Sequence, residues 1–236
     1  MERQNLNGGW NLLWKEKTLD TQVPFSVYHD LFSHGEIEDP FYRDNEKEAL
    51  LLSREDYTYQ TEFDVTEQMM KNSQIRLKFL GIDTLADIYL NGTHVGNTYN
   101  MHRTWEFSVR ELLKEKGNLL EIRFHSPILY MEEQNRLQGK IPCNTDTIDG
   151  FLRKSNCMSG WDWAPKLPDM GIFRDVILEG IDEDRLEDVC VRQSHEHGQV
   201  TLSFGVHTLK THRGERVRYC VTVTAPDGSV LTEENS

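Results

Sequence analysis

The segment Trp161-Asp162-Trp163 combines two indole rings with one carboxylate, a set of side chains suited to binding a sugar. Aromatic rings pack against the C–H faces of a pyranoside, and a carboxylate accepts hydrogen bonds from its hydroxyl groups. In a strand, alternation would place both rings on one face and Asp162 on the other. Because Pro165 and Pro168 follow closely, we predict an irregular loop, in which this constraint lapses.

Other residue types that carry chemistry are sparse. The sequence has no Ser-His-Asp arrangement, phosphate-binding loop or metal-ligand motif. His195 and His197 precede Gly198 without a carboxylate or cysteine ligand pattern, which indicates a solvated hairpin tip and no metal site. The cysteines share no C-x-x-C spacing, and we interpret them as reduced thiols: Cys143, Cys157, Cys190 and Cys220.

Composition narrows the choice of partners. The 236 residues carry a formal net charge of −13, which repels phosphate backbones and anionic lipid headgroups. We therefore expect neither nucleic acid nor membrane as a partner. No stretch approaches the roughly 20 apolar residues that span a bilayer, and the first residues lack the apolar core of a secretion signal. The expected location is the cytoplasm.

Period-two alternation of apolar residues dominates residues 57–124 and predicts strands with one buried face. The alternating sets are Tyr57, Tyr59, Phe63 and Val65; Ile75, Leu77 and Phe79; Ala86, Ile88 and Leu90; and Leu120, Ile122 and Phe124. Many short strands with little helix between them favour an all-β, antiparallel sandwich. Trp10 and Trp14 are expected to anchor an N-terminal strand in its core.

Between residues 91 and 137, local signals predict a hairpin and two short helices. Asn91-Gly92 lies between alternating apolar residues and suits a two-residue turn with positive φ angles. The residues Ser108 to Glu111 match a capping box and predict one or two helical turns before Gly117. A second helix is predicted at about residues 129–137.

We interpret the apolar run Val176-Ile177-Leu178 as a strand. The sequence becomes polar after it, and this change predicts a domain boundary. The polar, acidic segment 180–185 follows it, so we divide the chain into 1–181 and 182–236. Two further apolar alternations then appear, Val200 to Val206 and Val217 to Val223. These predict the opening strands of a second sandwich that is incomplete, because an immunoglobulin-like sandwich needs about 100 residues.

The segment Ser159–Val176, SGWDWAPKLPDMGIFRDV, resembles a block typical of β-mannosidases of glycoside hydrolase family 2. Earlier segments agree with this resemblance, which covers about residues 5–236. They are Val23-Pro24, Tyr28–Leu31, Ile37–Glu46 and the Leu90-Asn91-Gly92 turn. The chain is thus identified as similar to the N-terminal part of these hydrolases.

The resemblance implies a galactose-binding-like jelly-roll sandwich, then an immunoglobulin-like sandwich, then a catalytic (β/α)₈ barrel. The barrel and its paired glutamates are expected to lie outside this sequence, so the chain alone should be inactive. By the same resemblance, Trp161, Asp162 and Trp163 bind the substrate and border the subsite for a terminal β-mannose, and Asn100 approaches the same pocket. No catalytic residue, metal or cofactor is expected in the chain.

Some neighbouring residues have open roles. Ala164 replaces a glycine of the family block, and it would add strain if φ is positive there. Arg153 and Lys154 precede the block and can orient its carboxylate, although surface charge is the favoured role for Lys154. Arg174 and Asp175 are interpreted as a structural ion pair.

Three functional hypotheses remain open. The chain is part of a β-mannosidase, or it is a free-standing carbohydrate-binding module, or it is a structural domain that packs against the barrel or forms homo-oligomers. A part of a related β-galactosidase or β-glucuronidase is a further alternative. Sugar binding without hydrolysis would favour the module, and no binding would favour a packing domain.

Overall fold

The computed structural model describes residues 2–141, 150–209 and 218–235. The chain divides after Gly180 into two compact units, a larger one from Glu2 to Gly180 and a smaller one from Ile181 onward. This division lies one residue before the boundary expected between residues 181 and 182. Cys143 and Val217 fall outside the described residues, so the expectations for them stay predictions.

Short strands build the larger unit. In chain order they are β1 (Glu2–Asn5), β2 (Trp10–Trp14), β3 (Lys17–Thr21), β4 (Phe25–Ser26), β5 (Tyr57–Phe63), β6 (Gln74–Phe79), β7 (Ile82–Asp83), β8 (Leu85–Leu90), β9 (Thr93–Tyr99), β10 (Trp105–Ser108), β11 (Asn118–Phe124), β12 (Ser159–Trp161), β13 (Ala164–Lys166), β14 (Gly171–Ile172) and β15 (Val176–Ile181). A six-stranded sheet has the order β3-β2-β5-β11-β8-β9, and a four-stranded sheet has the order β1-β15-β6-β10.

The two sheets enclose one apolar core. Tyr59, Ile122 and Phe124 of the six-stranded sheet belong to the same buried cluster as Leu77 and Phe79 of the four-stranded sheet. Every second residue of these strands faces inward, as the alternation predicted. The prediction of an all-β, antiparallel sandwich is confirmed. Trp10 and Trp14 are both buried in this core.

A third sheet, with the order β4-β14-β7, pairs three strands that are far apart in the sequence. In β14, Gly171 is the register partner of both Ser26 and Asp83. This sheet therefore joins the end of the block 159–176 to two strands that precede it by many residues.

The hairpin predicted at Asn91-Gly92 is confirmed. It joins β8 to β9 with Leu90 opposite Thr93, and φ is 53° at Asn91 and 79° at Gly92. The Asn91 side chain also donates to the Leu112 carbonyl oxygen at 2.8 Å. An asparagine suits the turn because it tolerates positive φ.

Helices are short and lie outside the sheets. They are α1 (Val27–Ser33), α2 (Glu46–Leu52), α3 (Glu67–Met70) and α4 (Pro127–Gln138). The helix predicted at about 129–137 is confirmed as α4, whose Ser126 cap accepts from the Leu129 N–H at 3.0 Å. Among the described residues, no helix has the length and apolarity needed to cross a bilayer.

The predicted capping box at Ser108 is wrong. Ser108 is the last residue of β10, paired opposite Arg76 of β6, and this pairing holds it extended. A single 3₁₀ turn, Arg110–Leu112, follows without a side-chain cap. The strand pairing therefore overrides the local helix signal.

Charged residues form a ladder across the four-stranded sheet. Glu179 of β15 is buried and accepts from Arg3 of β1 and from Lys78 of β6, each at 3.0 Å. Lys78 also pairs with Glu106 of β10 at 2.8 Å. Each strand of this sheet therefore contributes a charge to one connected network.

The expected ion pair between Arg174 and Asp175 is not what the structure shows. The Arg174 guanidinium lies over the Phe173 ring, 5.7 Å from its centroid. The Asp175 carboxylate instead accepts from Asn7 Nδ2 at 2.8 Å. Neighbouring residues of opposite charge thus take different partners.

The smaller unit consists of two hairpins in its described residues. They are formed by β16 (Arg185–Glu196) with β17 (Gln199–Leu209), and by β18 (Tyr219–Thr224) with β19 (Val230–Asn235). His197 and Gly198 form the first tip, with φ of 49° and 76°, so the expected hairpin tip is confirmed. Assignment of this unit to an immunoglobulin-like sandwich stays a prediction.

Candidate functional site

The Trp-Asp-Trp segment forms a tight β-hairpin. Strands β12 and β13 pair with Ser159 opposite Lys166 and Trp161 opposite Ala164, so Asp162 and Trp163 are the two turn residues. The predicted irregular loop is therefore wrong.

The prolines are compatible with this hairpin for a reason of register. Next to a two-residue turn, the flanking pair exchanges backbone hydrogen bonds and the following pair does not. Pro165 belongs to that following pair, opposite Gly160, so its missing N–H costs no hydrogen bond between the strands.

Glycine is required in one strand of the hairpin. Gly160 has a φ of 98°, and a Cβ atom there would lie 2.5 Å from Lys166 Cγ. Ala164 is an ordinary strand residue and is not among the positive-φ positions, so the strain considered for an alanine there does not arise. The hairpin thus depends on Gly160 and tolerates Ala164.

The three turn-region side chains face solvent. Trp161 is 47% exposed and Trp163 is 72% exposed, and Asp162 between them is exposed as well. Burial of Asp162 inside the sandwich would have ruled out a binding role, and the structure places it on the surface. Two exposed indoles so close together are unusual, because large aromatic side chains are normally buried.

Asn100 lies beside the segment that leads into the hairpin. It forms an isolated parallel β-bridge with Arg153, and the Met101 N–H donates to the Arg153 carbonyl oxygen at 3.0 Å. Its side-chain oxygen accepts from the His102 N–H at 2.8 Å. Backbone contacts with Arg153 therefore hold the Asn100 loop against the segment that precedes the hairpin.

Lys154 is buried, so the prediction of surface charge for it is wrong. Its ammonium group donates to the Asp83 carboxylate and to the Asp169 carbonyl oxygen, the latter at 2.6 Å. Arg153 by contrast is exposed. Within the described part of the chain, no ion pair joins Lys154 or Arg153 to Asp162. The carboxylate that Lys154 binds is Asp83, at the end of β7.

Asp169 connects the end of the hairpin loop to α1. Its Oδ1 atom accepts from the N–H groups of Met170 at 2.8 Å and Tyr28 at 3.3 Å. Burial raises the pKa of Asp169 to about 6, although these bonds and Lys154 act in the opposite direction. Sequence reasoning missed both Asp83 and Asp169, because neither stands in a motif that signals burial.

A cavity of about 440 Å³ lies beside Asp169 and the two ends of the hairpin. Phe32 and Phe41 contribute aromatic rings to it, Met158 and Leu167 contribute apolar side chains from the two sides of the hairpin, and Asp169 contributes a carboxylate. Its Phe41 side chain is 74% exposed.

In the described ranges, the cysteines and the groups that could bind a metal form no further site. Cys157, Cys190 and Cys220 are free thiols. Over residues 2–141, 150–209 and 218–235, no group of three His, Cys, Asp or Glu side chains is placed to hold a metal ion. The exposed hairpin is the feature best suited to bind a ligand.

The sandwich and its hairpin fit the class of galactose-binding-like β-sandwich domains. A family model described as the glycosyl hydrolase 2 galactose-binding domain-like family matches residues 9–174. The chain belongs to this family, and the resemblance noted in the sequence is confirmed.

Curated relatives are β-mannosidases. The chain is 29% identical to the β-mannosidase of Rattus norvegicus, over 94% of this chain and 27% of that protein. It is 33% identical to the β-mannosidase of Capra hircus, over 74% of this chain and 21% of that protein. The chain therefore spans about a quarter of the length of these relatives.

A β-mannosidase is also among the solved structures that match this chain. The β-D-mannosidase from Dictyoglomus thermophilum matches with a TM-score of 0.75 and 32% identity, over 100% of this chain and 31% of that chain. A β-glucuronidase from an uncultured Clostridium matches with a TM-score of 0.57 and 17% identity, over 99% of this chain and 37% of that one, which shows a shared fold alone.

Proposed function

We propose that the larger unit forms one wall of a β-mannoside pocket in an enzyme that removes terminal, non-reducing β-D-mannose residues. Trp161, Asp162 and Trp163 contact the sugar, and Asn100 lies at the edge of the pocket. The observation that carries this proposal is the exposed hairpin, on which two indoles flank a carboxylate. The β-mannosidase relatives support the choice of sugar.

The hairpin has the chemistry that a pyranoside requires. The indole rings of Trp161 and Trp163 offer flat apolar faces to the C–H groups of the sugar ring. The Asp162 carboxylate can accept from two adjacent hydroxyl groups, and such charge-assisted bonds contribute roughly 1.5–3 kcal/mol each when solvent is excluded.

The reactive carboxylates of the proposed enzyme lie outside this chain. Retaining glycoside hydrolysis needs two carboxyl groups about 5–5.5 Å apart, one acting as nucleophile and one as acid/base. Among the described residues, the carboxyl groups whose pKa is raised are Asp30, Asp83 and Asp169, and all three are engaged in bonds that hold the fold. We expect the chain alone to bind without hydrolysing.

The test is a titration of the chain with methyl β-D-mannopyranoside, in which tryptophan fluorescence and calorimetry measure binding. One wall of a pocket should give affinity in the millimolar range, because most contacts and water exclusion come from the other wall. Asp162→Asn should weaken binding about tenfold or more, since it removes a charged acceptor. Glu62→Gln, which changes an exposed carboxylate on β5, should leave binding unchanged.

Several outcomes would reject the proposal. Equal binding by wild type and Asp162→Asn would exclude the hairpin as the sugar site. Equal affinity for methyl β-D-galactopyranoside would contradict the assignment to mannosides. Hydrolysis of an aryl β-mannoside by this chain, lost in Asp162→Asn, would place the reactive carboxylates within it.

A further inference from the structure

A buried ammonium group lies at the base of the Trp-Asp-Trp hairpin. The Lys154 side chain is 2% exposed, and that of its partner Asp83 is 6% exposed. Besides this carboxylate, the ammonium group binds the Asp169 carbonyl oxygen at 2.6 Å. A lysine is almost never buried this fully unless its charge is paired. Here the Asp83 carboxylate and the Asp169 carbonyl oxygen supply that pairing.

The chain positions of these partners give the contact its importance. Lys154 comes directly before the segment 155–168, which contains the hairpin, and Asp169 comes directly after it. One ammonium group thus joins both ends of this segment. Asp83 fixes that junction to the three-stranded sheet, because it pairs with Gly171 in β14.

The same junction also reaches the Asn100 loop. The Arg153 carbonyl oxygen accepts from the Met101 N–H at 3.0 Å, and the Ser155 N–H lies 3.1 Å from Met101 Sδ. Lys154 stands between these two contacts. A shift of its backbone would therefore move the Asn100 loop and the hairpin together.

Stability alone does not explain a lysine in this place. Removing two charges from water costs several kcal/mol per ion, and replacing a buried ion pair with apolar residues is often neutral or stabilising. What an apolar side chain cannot do is bind a carboxylate and a carbonyl oxygen at once. The contact therefore fixes a geometry that packing by itself does not specify.

We propose that Lys154 is the positioning residue of the hairpin: by binding Asp83 and the Asp169 carbonyl, it fixes the base of segment 155–168 and so the pose of Trp161, Asp162 and Trp163. The local ordering follows from the contacts themselves. Its consequence for sugar binding rests on the function proposed above.

The test is native-state hydrogen exchange, read by mass spectrometry, on Lys154→Met and on the double variant Lys154→Met/Asp83→Asn. Lys154→Met leaves a buried, unpaired carboxylate and should lower overall stability as well. The double variant removes that charge, so overall stability should recover while the bond to the Asp169 carbonyl remains lost. In both variants, amides of 155–168 should exchange at least about tenfold faster, whereas those of β5 and β11 follow overall stability.

Lys78→Met is the matched control, because Lys78 also pairs with a buried carboxylate, Glu179, but on the four-stranded sheet. It should reduce overall stability without a selective effect on 155–168. Wild-type exchange of this segment in the double variant would overturn the proposal, since a merely structural lysine predicts that result. The same local acceleration in Lys78→Met would overturn it too. If Lys154→Met does not fold, the double variant decides.

A titration with methyl β-D-mannopyranoside on the same variants separates the two proposals. If the wild type binds and the double variant binds about tenfold more weakly, the ordered hairpin is required for the sugar. Unchanged affinity with a loosened segment would overturn that consequence. If the wild type does not bind, or Asp162→Asn binds equally well, the proposed function fails, and the exchange result still decides the role of Lys154.

Discussion

Asp169 illustrates how burial changes the chemistry of a single side chain. Burial raises the pKa of its carboxyl group from the ordinary value of 3.8 to about 6. Between these two values the folded protein binds this proton more tightly than the unfolded chain does. The free energy of unfolding therefore contains a contribution that falls as pH rises from about 4 to 6.

Replacing the carboxyl group should remove this contribution. Asp169→Asn keeps an oxygen that accepts from the Tyr28 and Met170 N–H groups but does not titrate. We expect the variant to gain stability relative to wild type as pH rises from 4 to 7, by up to about 3 kcal/mol. Urea unfolding of both proteins at each pH measures the difference, and a difference that does not change with pH would contradict the raised pKa.

At the residue scale, exposed chemistry was easier to predict than buried chemistry. The unusual composition of Trp161-Asp162-Trp163 marked it from the sequence, and all three side chains are exposed. Lys154 was assigned to the surface, because a lysine in a polar stretch normally lies there. Its burial depends on Asp83, 71 residues earlier, and no local pattern reports a contact over that separation.

At the scale of elements, β14 shows how closely strands approach near the site. A Cβ atom on Gly171 would lie 2.2 Å from the carbonyl oxygen of Phe25 and 2.8 Å from the Cα atom of Ser26. Both contacts are with backbone, which cannot move aside as a flexible side chain would. Only glycine allows β14 to pair with β4 here.

Gly171→Ala should therefore separate β4 from β14. We expect a loss of about 3 kcal/mol or more in the free energy of unfolding, at the upper end of the costs of overpacking. Gly8→Ala is the control, since a Cβ atom there meets nothing within 4 Å, and it should cost no more than about 0.5 kcal/mol. Chemical denaturation measures both, and equal effects would show that β4 and β14 tolerate a wider spacing.

Long strands were predictable and the short ones near the site were not. β5, β6, β8 and β11 each alternate over enough residues for the period to be counted. β4, β7 and β14 have two residues each and show no period. The β12–β13 hairpin was missed because its turn, Asp162-Trp163, lacks the asparagine–glycine signature that marked the turn at Asn91.

At the scale of the whole molecule, burial is unevenly divided between the two units. The main core cluster draws on residues from Leu6 to Leu178, all in the larger unit. In the smaller unit, apolar side chains of the two hairpins stay exposed, including Val191 at 56%, Val200 at 56% and Leu231 at 76%. Two-stranded hairpins with so little burial are marginally stable in water.

Alternation predicted the all-β fold class, and it marked the strands β5, β6, β8 and β11 of the two large sheets. Family resemblance, in addition, predicted a binding role for Trp161, Asp162 and Trp163. Alternation does not determine whether the smaller unit has the predicted immunoglobulin-like fold. The pattern in Val200 to Val206 shows only that a strand has one apolar face. Which strands cover that face depends on contacts that the period of a single strand does not specify.

The uneven burial predicts that the two units differ greatly in stability. Amides of β16 to β19 should exchange at least about a hundredfold faster than those of β5 and β11, because none of the described apolar side chains of β16 to β19 is fully buried. A chain shortened to residues 1–181 should keep its free energy of unfolding to within about 1 kcal/mol, since the core cluster remains whole. Hydrogen exchange on the full chain and urea unfolding of both lengths measure these effects. Equal protection in both units, or a loss above about 3 kcal/mol on shortening, would mean that the hairpins are bound to a packed surface and share the stability of the sandwich.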